Sequence, residues 1–299
     1  MAAPPHLRYG AVSVYLGEKS GKYPDGNQVT VRGADSLAVF DTPLVANQLG
    51  EGFLEADLVV LGHVHEDHMA GLHRLPKAEI HVHERDVEAA RSWAGLSRHY
   101  GYSQPVLDEM HALIKRDFHY APRPDAKPYR DGAVWDLGGG VSVRAIHAPG
   151  HTSGHCVLLV EPGGVAFIGD IELSSFGPYY GDATSNLADF RRTLQAVREI
   201  PAQVWVTSHH KGVITERATF LSLLQAFASR LDAREEAIAA YLAQKPSTLA
   251  DLVAHRFLYP GGSSGVWYDE AERRTTEQHL ESLARAGRAR EESGHWRIA

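Results

Sequence analysis

The stretch Ala56–His68, ADLVVLGHVHEDH, carries an apolar run straight into three histidines and two carboxylates. The run from Ala56 to Gly62 suits a buried strand, which delivers the chain into the loop HVHEDH. In a strand-like stretch side chains alternate with period two, so His63 and His65 point the same way and can share an ion. Asp67 and His68 follow where the chain turns and can face a second point nearby. Histidine nitrogen and carboxylate oxygen both suit zinc. The spacing is not H-E-x-x-H, in which the histidines lie one helical turn apart.

Six residues supply too few ligands for two ions, so partners must come from elsewhere in the chain. Three candidates stand at the ends of apolar strands: His151 in HAPGHTSGH, Asp170 after VAFIG, and the doublet His209-His210 after VWVTS. An aspartate delivered by an apolar strand is costly to bury without a cation or hydrogen-bond donors.

The chain has 299 residues, 43% hydrophobic and 22% charged, the profile of a globular protein with one large domain or a domain with an appendage. A net charge of −7 argues against a basic nucleic-acid-binding surface. Cys156 is the single cysteine, which excludes an internal disulfide and a cysteine-rich zinc cluster. No apolar stretch reaches the roughly 18–20 residues of a membrane span. The amino-terminal segment lacks the pattern of a secretory signal, so a cytoplasmic location is expected.

Strands are predicted for AVSVYLG, NQVTVRG, DSLAVFDT and AEIHVHE, and a short helix for Met69–Leu75. Residues 84–130 read as a helical insert. Strands resume through AVWDLGGGVSVRAIHAPG and CVLLVEPGGVAFIGD, followed by the amphipathic helix NLADFRRTLQAVREI and the strand AQVWVTSHH. Beyond about Phe220 the pattern turns helical, and RAREESGHWRIA reads as a closing hairpin. Helices followed by a small hairpin suggest a winged-helix-like module over residues 226–299, after a catalytic domain over 1–225.

H-x-H-x-D-H, P-G-H-T-x-G-H, G-D after a strand and a histidine after a further strand, in that order, resemble the metallo-β-lactamase fold superfamily. The resemblance covers about residues 9–225. It implies an α+β fold, a four-layer αββα sandwich with metals at one edge, here followed by the small helical carboxy-terminal domain. It also implies that His63, His65 and His151 hold a first metal, Asp67, His68 and His209 a second, and that Asp170 bridges them. The β-lactamases place a cysteine at the bridging position; aspartate there resembles glyoxalase II and lactonases. Two zinc ions per chain are the expected cofactor, with iron or manganese as alternatives.

The resemblance implies a hydrolase that attacks a small-molecule carboxylic ester, lactone or thioester with a metal-bridging hydroxide, Asp67 passing the proton. A phosphodiesterase or ribonuclease, or a mononuclear iron sulfur dioxygenase, would use a similar ligand set. Aromatic residues of the insert, Trp93, Tyr100, Tyr102, Phe118 and Tyr120, favour a partly apolar acyl substrate. Tyr179, Tyr180 and His210 are candidate substrate contacts. Asp41, His147 and His155 read as groups behind the ligands, His81 and His83 as a mimic of the motif, and Cys156 as core. Glu66 reads as an outward-facing spacer. Residues 230–299 hold 10 Lys/Arg and 11 Asp/Glu, so the module is expected to serve packing, homodimer formation or substrate shaping and not nucleic-acid binding.

Overall fold

Continuous apolar runs such as Leu37–Phe40, Leu58–Leu61 and Cys156–Val160 give this chain two sheets with apolar residues on both faces. The computed structural model describes residues 4–259 and 261–299. Met1–Ala3, part of the amino-terminal segment read above, and Pro260 lie outside the described residues. The first sheet contains β1 (His6–Tyr9), β2 (Val12–Tyr15), β3 (Gln28–Arg32), β4 (Leu37–Phe40), β5 (Leu58–Leu61), β6 (Glu79–His83) and β7 (Lys127–Tyr129). They lie side by side in chain order, antiparallel through β4 and parallel from β4 to β7. The second sheet also keeps chain order, with β8 (Val134–Asp136), β9 (Ser142–His147), β10 (Cys156–Glu161), β11 (Val165–Phe167), β12 (Val204–Val206) and β13 (Val213–Ile214), all antiparallel neighbours except the parallel pair β11–β12.

Alternation decides which residues meet. In β5, Leu58 and Val60 face the second sheet, while Val59 and Leu61 face the helical insert. In β10, Cys156, Leu158 and Val160 face inward, and Val157 and Leu159 face helices on the far side. Helices α1 (Val87–Arg91), α2 (Trp93–Tyr100) and α3 (Gln104–Asp117) cover the first sheet. Helices α4 (Leu187–Ala196) and α5 (Arg217–Gln244) cover the second. The result is the four-layer αββα arrangement. At the edge where the site forms, the Cys156 N–H donates to the Gly62 carbonyl at 2.7 Å and ties the sheets together.

Several expected elements differ in detail. The insert ends before Lys127, because 127–129 pair with β6 as an edge strand. Met69–Leu75 makes only a 3-10 turn at Leu72–Arg74. Strands β1 and β13, which are short, give too little alternation to be read. The expected boundary at 225 falls inside α5, a single 28-residue helix that runs from one part to the other.

The carboxy-terminal part consists of the end of α5, α6 (Leu249–His255), α7 (Tyr268–Arg285) and the hairpin β14 (Ala289–Glu292)–β15 (His295–Ile298). Thr248 and Asp251 form a reciprocal cap on α6. Helix α7 is held against the αββα part by polar contacts. Its Gln278 amide donates to the Tyr180 carbonyl at 2.9 Å, and His279 Nε2 lies 2.8 Å from the Tyr180 hydroxyl. Glu272, fully buried, accepts from the backbone N–H groups of Phe257, Leu258 and Tyr259 at 2.5–3.1 Å. Glu272→Ala leaves those donors without partners, and a loss of about 3 kcal/mol in urea unfolding is expected. A loss below about 0.5 kcal/mol, within the range of ordinary surface substitutions, would show that water replaces the carboxylate there.

A candidate two-metal centre at the sheet edge

Each candidate ligand stands just beyond a strand end: His63–His68 after β5, His151 after β9, Asp170 after β11 and His209 after β12. Backbone bonds knit these ends together. The Ser208 N–H donates to the Gly169 carbonyl at 3.0 Å, and the Thr42 N–H to the His68 carbonyl at 2.8 Å. Gly169 has φ +54°, and a Cβ there would lie 2.6 Å from His155 Nε2, so only glycine fits before Asp170.

The side chains form two groups that share Asp170. In the first, His151 Nε2 lies 3.2 Å from His63 Nε2, 3.1 Å from His65 Nδ1 and 3.3 Å from Asp170 Oδ2. In the second, His68 Nε2 lies 3.6 Å from Asp67 Oδ2 and 3.1 Å from Asp170 Oδ1. His209 Nε2 lies 3.0 Å from Asp67 Oδ2 and 3.5 Å from Asp170 Oδ1. A tetrahedron of ligands with bonds of about 2.0–2.1 Å has edges of about 3.3 Å, so the first group fits an ion at its centre; in the second, Asp67, His68 and His209 form the compact set and Asp170 Oδ1 approaches His68 and His209. His68 Nε2 and Asp170 Oδ1 are buried without a hydrogen-bond partner despite their closeness. Such atoms are uncommon in a folded interior, and a cation would satisfy both.

Electrostatics agree. Burial would raise the Asp170 carboxyl, but His68, His209 and His63 outweigh it and hold the group well below the ordinary carboxylate range. Burial would likewise lower His68 and His209. Asp67, Asp170 and Asp41 instead raise His68 well above its usual value, and Asp170 and Asp67 raise His209 to about 10. His63 stays neutral because burial and the His68 charge both lower it.

A second set of groups orients the rings. Asp41 Oδ2 lies 2.7 Å from His68 Nδ1, and its Oδ1 accepts from the Gly62 N–H at 2.7 Å. Asp182 Oδ2 lies 2.7 Å from His65 Nε2. His151 Nδ1 donates to the Tyr179 carbonyl at 2.9 Å. His209 Nδ1 is shared between the carbonyls of Gly21 (2.9 Å) and Asp25 (2.8 Å). In each case one ring nitrogen is occupied, so the other presents its lone pair to the centre. His155 is buried and neutral, and its Nε2 accepts from the Asp170 N–H at 3.2 Å.

The doublet separates cleanly: His209 reaches Asp67 and Asp170, while His210, at φ +64°, turns to Glu172 at 3.4 Å and lines the cavity. Tyr179 also lines the cavity, but Tyr180 does not. The Tyr180 ring is fully buried in the helical layer, where its hydroxyl meets His279 and Arg234. Glu66 corrects a second expectation. It is 5% exposed, lines the cavity, and accepts from the hydroxyls of Tyr100 (2.6 Å) and Tyr23 (3.1 Å). The turn of the backbone after His65 directs it inward, where two phenols satisfy it. Sequence reading missed Asp182, Glu172 and Lys22. Asp182 lies two residues after the candidate Tyr180, but no periodicity singles it out.

A cradle for two ions at the edge of an αββα sandwich defines a class of metalloprotein. The chain belongs to the metallo-beta-lactamase superfamily, whose family profile matches residues 30–225. Among curated relatives, the beta-lactamase-like protein 2 homolog of Drosophila melanogaster is 22% identical over 235 residues, covering 78% of this chain and 70% of that one. An atrochrysone carboxyl ACP thioesterase from Cryptosporiopsis sp. is 30% identical over 109 residues, which is 34% of this chain and 32% of that protein. A beta-lactamase domain protein from Burkholderia ambifaria superposes with a TM-score of 0.71 at 19% identity, covering 100% of this chain and 95% of that one. A metallo-beta-lactamase family protein from Thermus thermophilus gives 0.67 at 23%, covering 99% and 97%. At these identities both structures define the fold alone, over the catalytic and carboxy-terminal parts together. No helix among the described residues is long and apolar enough to cross a membrane.

The geometry sets two expectations for variants. Asp41→Ala and Asp182→Ala, by freeing a ring each, should weaken one metal position roughly 10- to 100-fold in chelator competition. His209→Ala should release one ion by elemental analysis, whereas His210→Ala should retain both; the opposite result would reverse the doublet.

Proposed function

We propose that this protein is a dinuclear metal-dependent hydrolase of carboxylic ester, lactone or thioester bonds, with zinc as the expected ion. The observation that carries the reading is the pair of ligand groups sharing Asp170, with buried, unpartnered His68 Nε2 and Asp170 Oδ1 between them. When bound, such ions acidify water to a pKa of about 7 and polarise a carbonyl. The residues supply the rest. Asp67 would bind through Oδ2, which lies toward His209 and His68, and leave Oδ1 to take a proton and return it to the leaving group. Asp41, Asp182 and the carbonyl of Tyr179 keep the imidazoles from turning as charge moves.

The cavity above the ligands, ≈ 500 Å³, supports an acyl substrate. Its lining is rich in aromatic rings and offers Lys22 as its one lysine or arginine, which ill suits a polyphosphate or an RNA backbone. The name of the thioesterase relative points the same way, although the match spans only about a third of either chain. The carboxy-terminal part, which contributes Tyr259, Ser263, Trp267 and Tyr268 to the lining, acts in this reading as a substrate-shaping wall.

The decisive experiment combines elemental analysis with a screen of aryl ester, lactone, thioester and phosphodiester substrates. Hydrolysis of an acyl substrate should exceed that of bis(p-nitrophenyl) phosphate, and Asp170→Ala should lose both metal and activity. Faster phosphodiester cleavage, or one iron per chain with oxygen uptake, would falsify the proposal.

A further inference from the structure

Two rows of rings lead outward from the metal ligands along the cavity. From His65 the row proceeds by parallel stacking, with Tyr100 at 5.8 Å and 4° and Tyr102 a further 5.6 Å on at 18°. From His209 it proceeds edge to face, with Tyr23 at 6.4 Å and 65° and Trp267 another 6.4 Å on at 79°. Beside Trp267, Tyr268 stacks on Tyr259 at 3.8 Å and 4°. All of these outer rings line the cavity.

Their polar ends are already committed. Tyr23 and Tyr100 donate to Glu66, and Tyr102 donates to Asp182, whose other oxygen meets His65. The rows therefore offer ring faces and edges to a ligand and few free hydroxyls. Apart from the ligand positions, the acid and base side chains facing the cavity are Glu66, Glu172, Asp182, Lys22 and His210. His210 turns to Glu172, and Lys22 lies exposed, so no buried cation among the described residues awaits a substrate carboxylate or phosphate. An anionic tail reaching past the ligands would instead lie beside Glu66, Glu172 and Asp182, with no buried cation there to pair with it.

We propose that this cavity selects a flat, uncharged aromatic acyl group, and that Trp267 determines that preference. The inference deepens the acyl-hydrolase reading and rests on it for the reaction, but not for binding. Trp267 is the outermost ring of the second row and belongs to the carboxy-terminal part. Its position is fixed because its carbonyl accepts from the Ala271 N–H at 3.0 Å at the start of α7, which Gln278 and His279 pin to Tyr180. Aromatic rings gain from offset and edge-to-face contact beyond the area they bury, which an aliphatic chain does not.

Calorimetric titration of metal-loaded protein with three hydroxamates tests this without turnover, since all three present the same chelating head. Benzohydroxamate should bind about tenfold tighter than acetohydroxamate, and succinate monohydroxamate no tighter than acetohydroxamate. Trp267→Ala should remove the benzo-over-aceto ratio, and Trp267→Phe should keep most of it, with metal content confirming that each variant is intact. Equal binding of the benzo and aceto compounds, tightest binding of the succinyl compound, or an unchanged ratio in an intact Trp267→Ala would each overturn the proposal. If Trp267→Ala fails to fold, the wild-type order and the Phe variant still decide it. The ordering with no acyl hydrolysis in the screen would sink the reaction and leave the specificity standing.

Discussion

A carboxylate buried among imidazoles is the constraint on which the rest of this structure depends. Asp170 arrives at the end of an apolar strand, 8% exposed, where an isolated negative charge would be strongly disfavoured. It is tolerated because three other strand ends bring His63, His68, His151 and His209 to it. Asp41 fixes which nitrogen of His68 faces inward, backbone carbonyls do so for His151 and His209, and Asp182 does so for the neighbouring His65. Apart from His63 Nδ1, which is buried without a partner, the rings are held from outside, and the centre they face is suited to a cation.

The same dependence runs outward into the fold. The close approach of Gly169 to His155, the Cys156–Gly62 backbone bond and the Ser208–Gly169 bond all hold strand ends in register at one edge. The inter-sheet core of Val14, Val29, Phe40, Val60, Leu158 and Phe167 sets the spacing between the sheets. Packing therefore supplies the position of the ligands, and the ligands supply the reason why so many charges sit at a packed edge.

Much of this was legible in the sequence. The motif residues are local and chemically distinctive, so His63, His65, Asp67 and His68 could be read as candidate ligands, and His151, Asp170 and the His209-His210 doublet became candidates because each ends an apolar run; the preference for His209 came from the family resemblance. Asp182 was not legible because its role comes from a contact 117 residues away in the chain, with His65, and no periodicity marks it. Glu66 was misread because period two predicts an outward side chain, whereas the chain has already left the strand at that point. Tyr180 was misplaced because adjacency to Tyr179 says nothing about direction: the two rings face opposite ways, one into the cavity and one into the helical layer. The boundary near 225 was drawn where composition changes, yet α5 passes through it unbroken.

Both sheets order their strands as the chain does, β1 to β7 and then β8 to β13. Each can therefore assemble largely from neighbouring segments, with little loop-closure entropy to overcome. The seam joins segments far apart in the chain, His63–His68 with Asp170 and His209, and Gly21 and Asp25 with His209. The centre is complete only where the two sheets are packed against each other. An ion arriving earlier would encounter only the ligands of one half, so capture of a full complement records that assembly has finished.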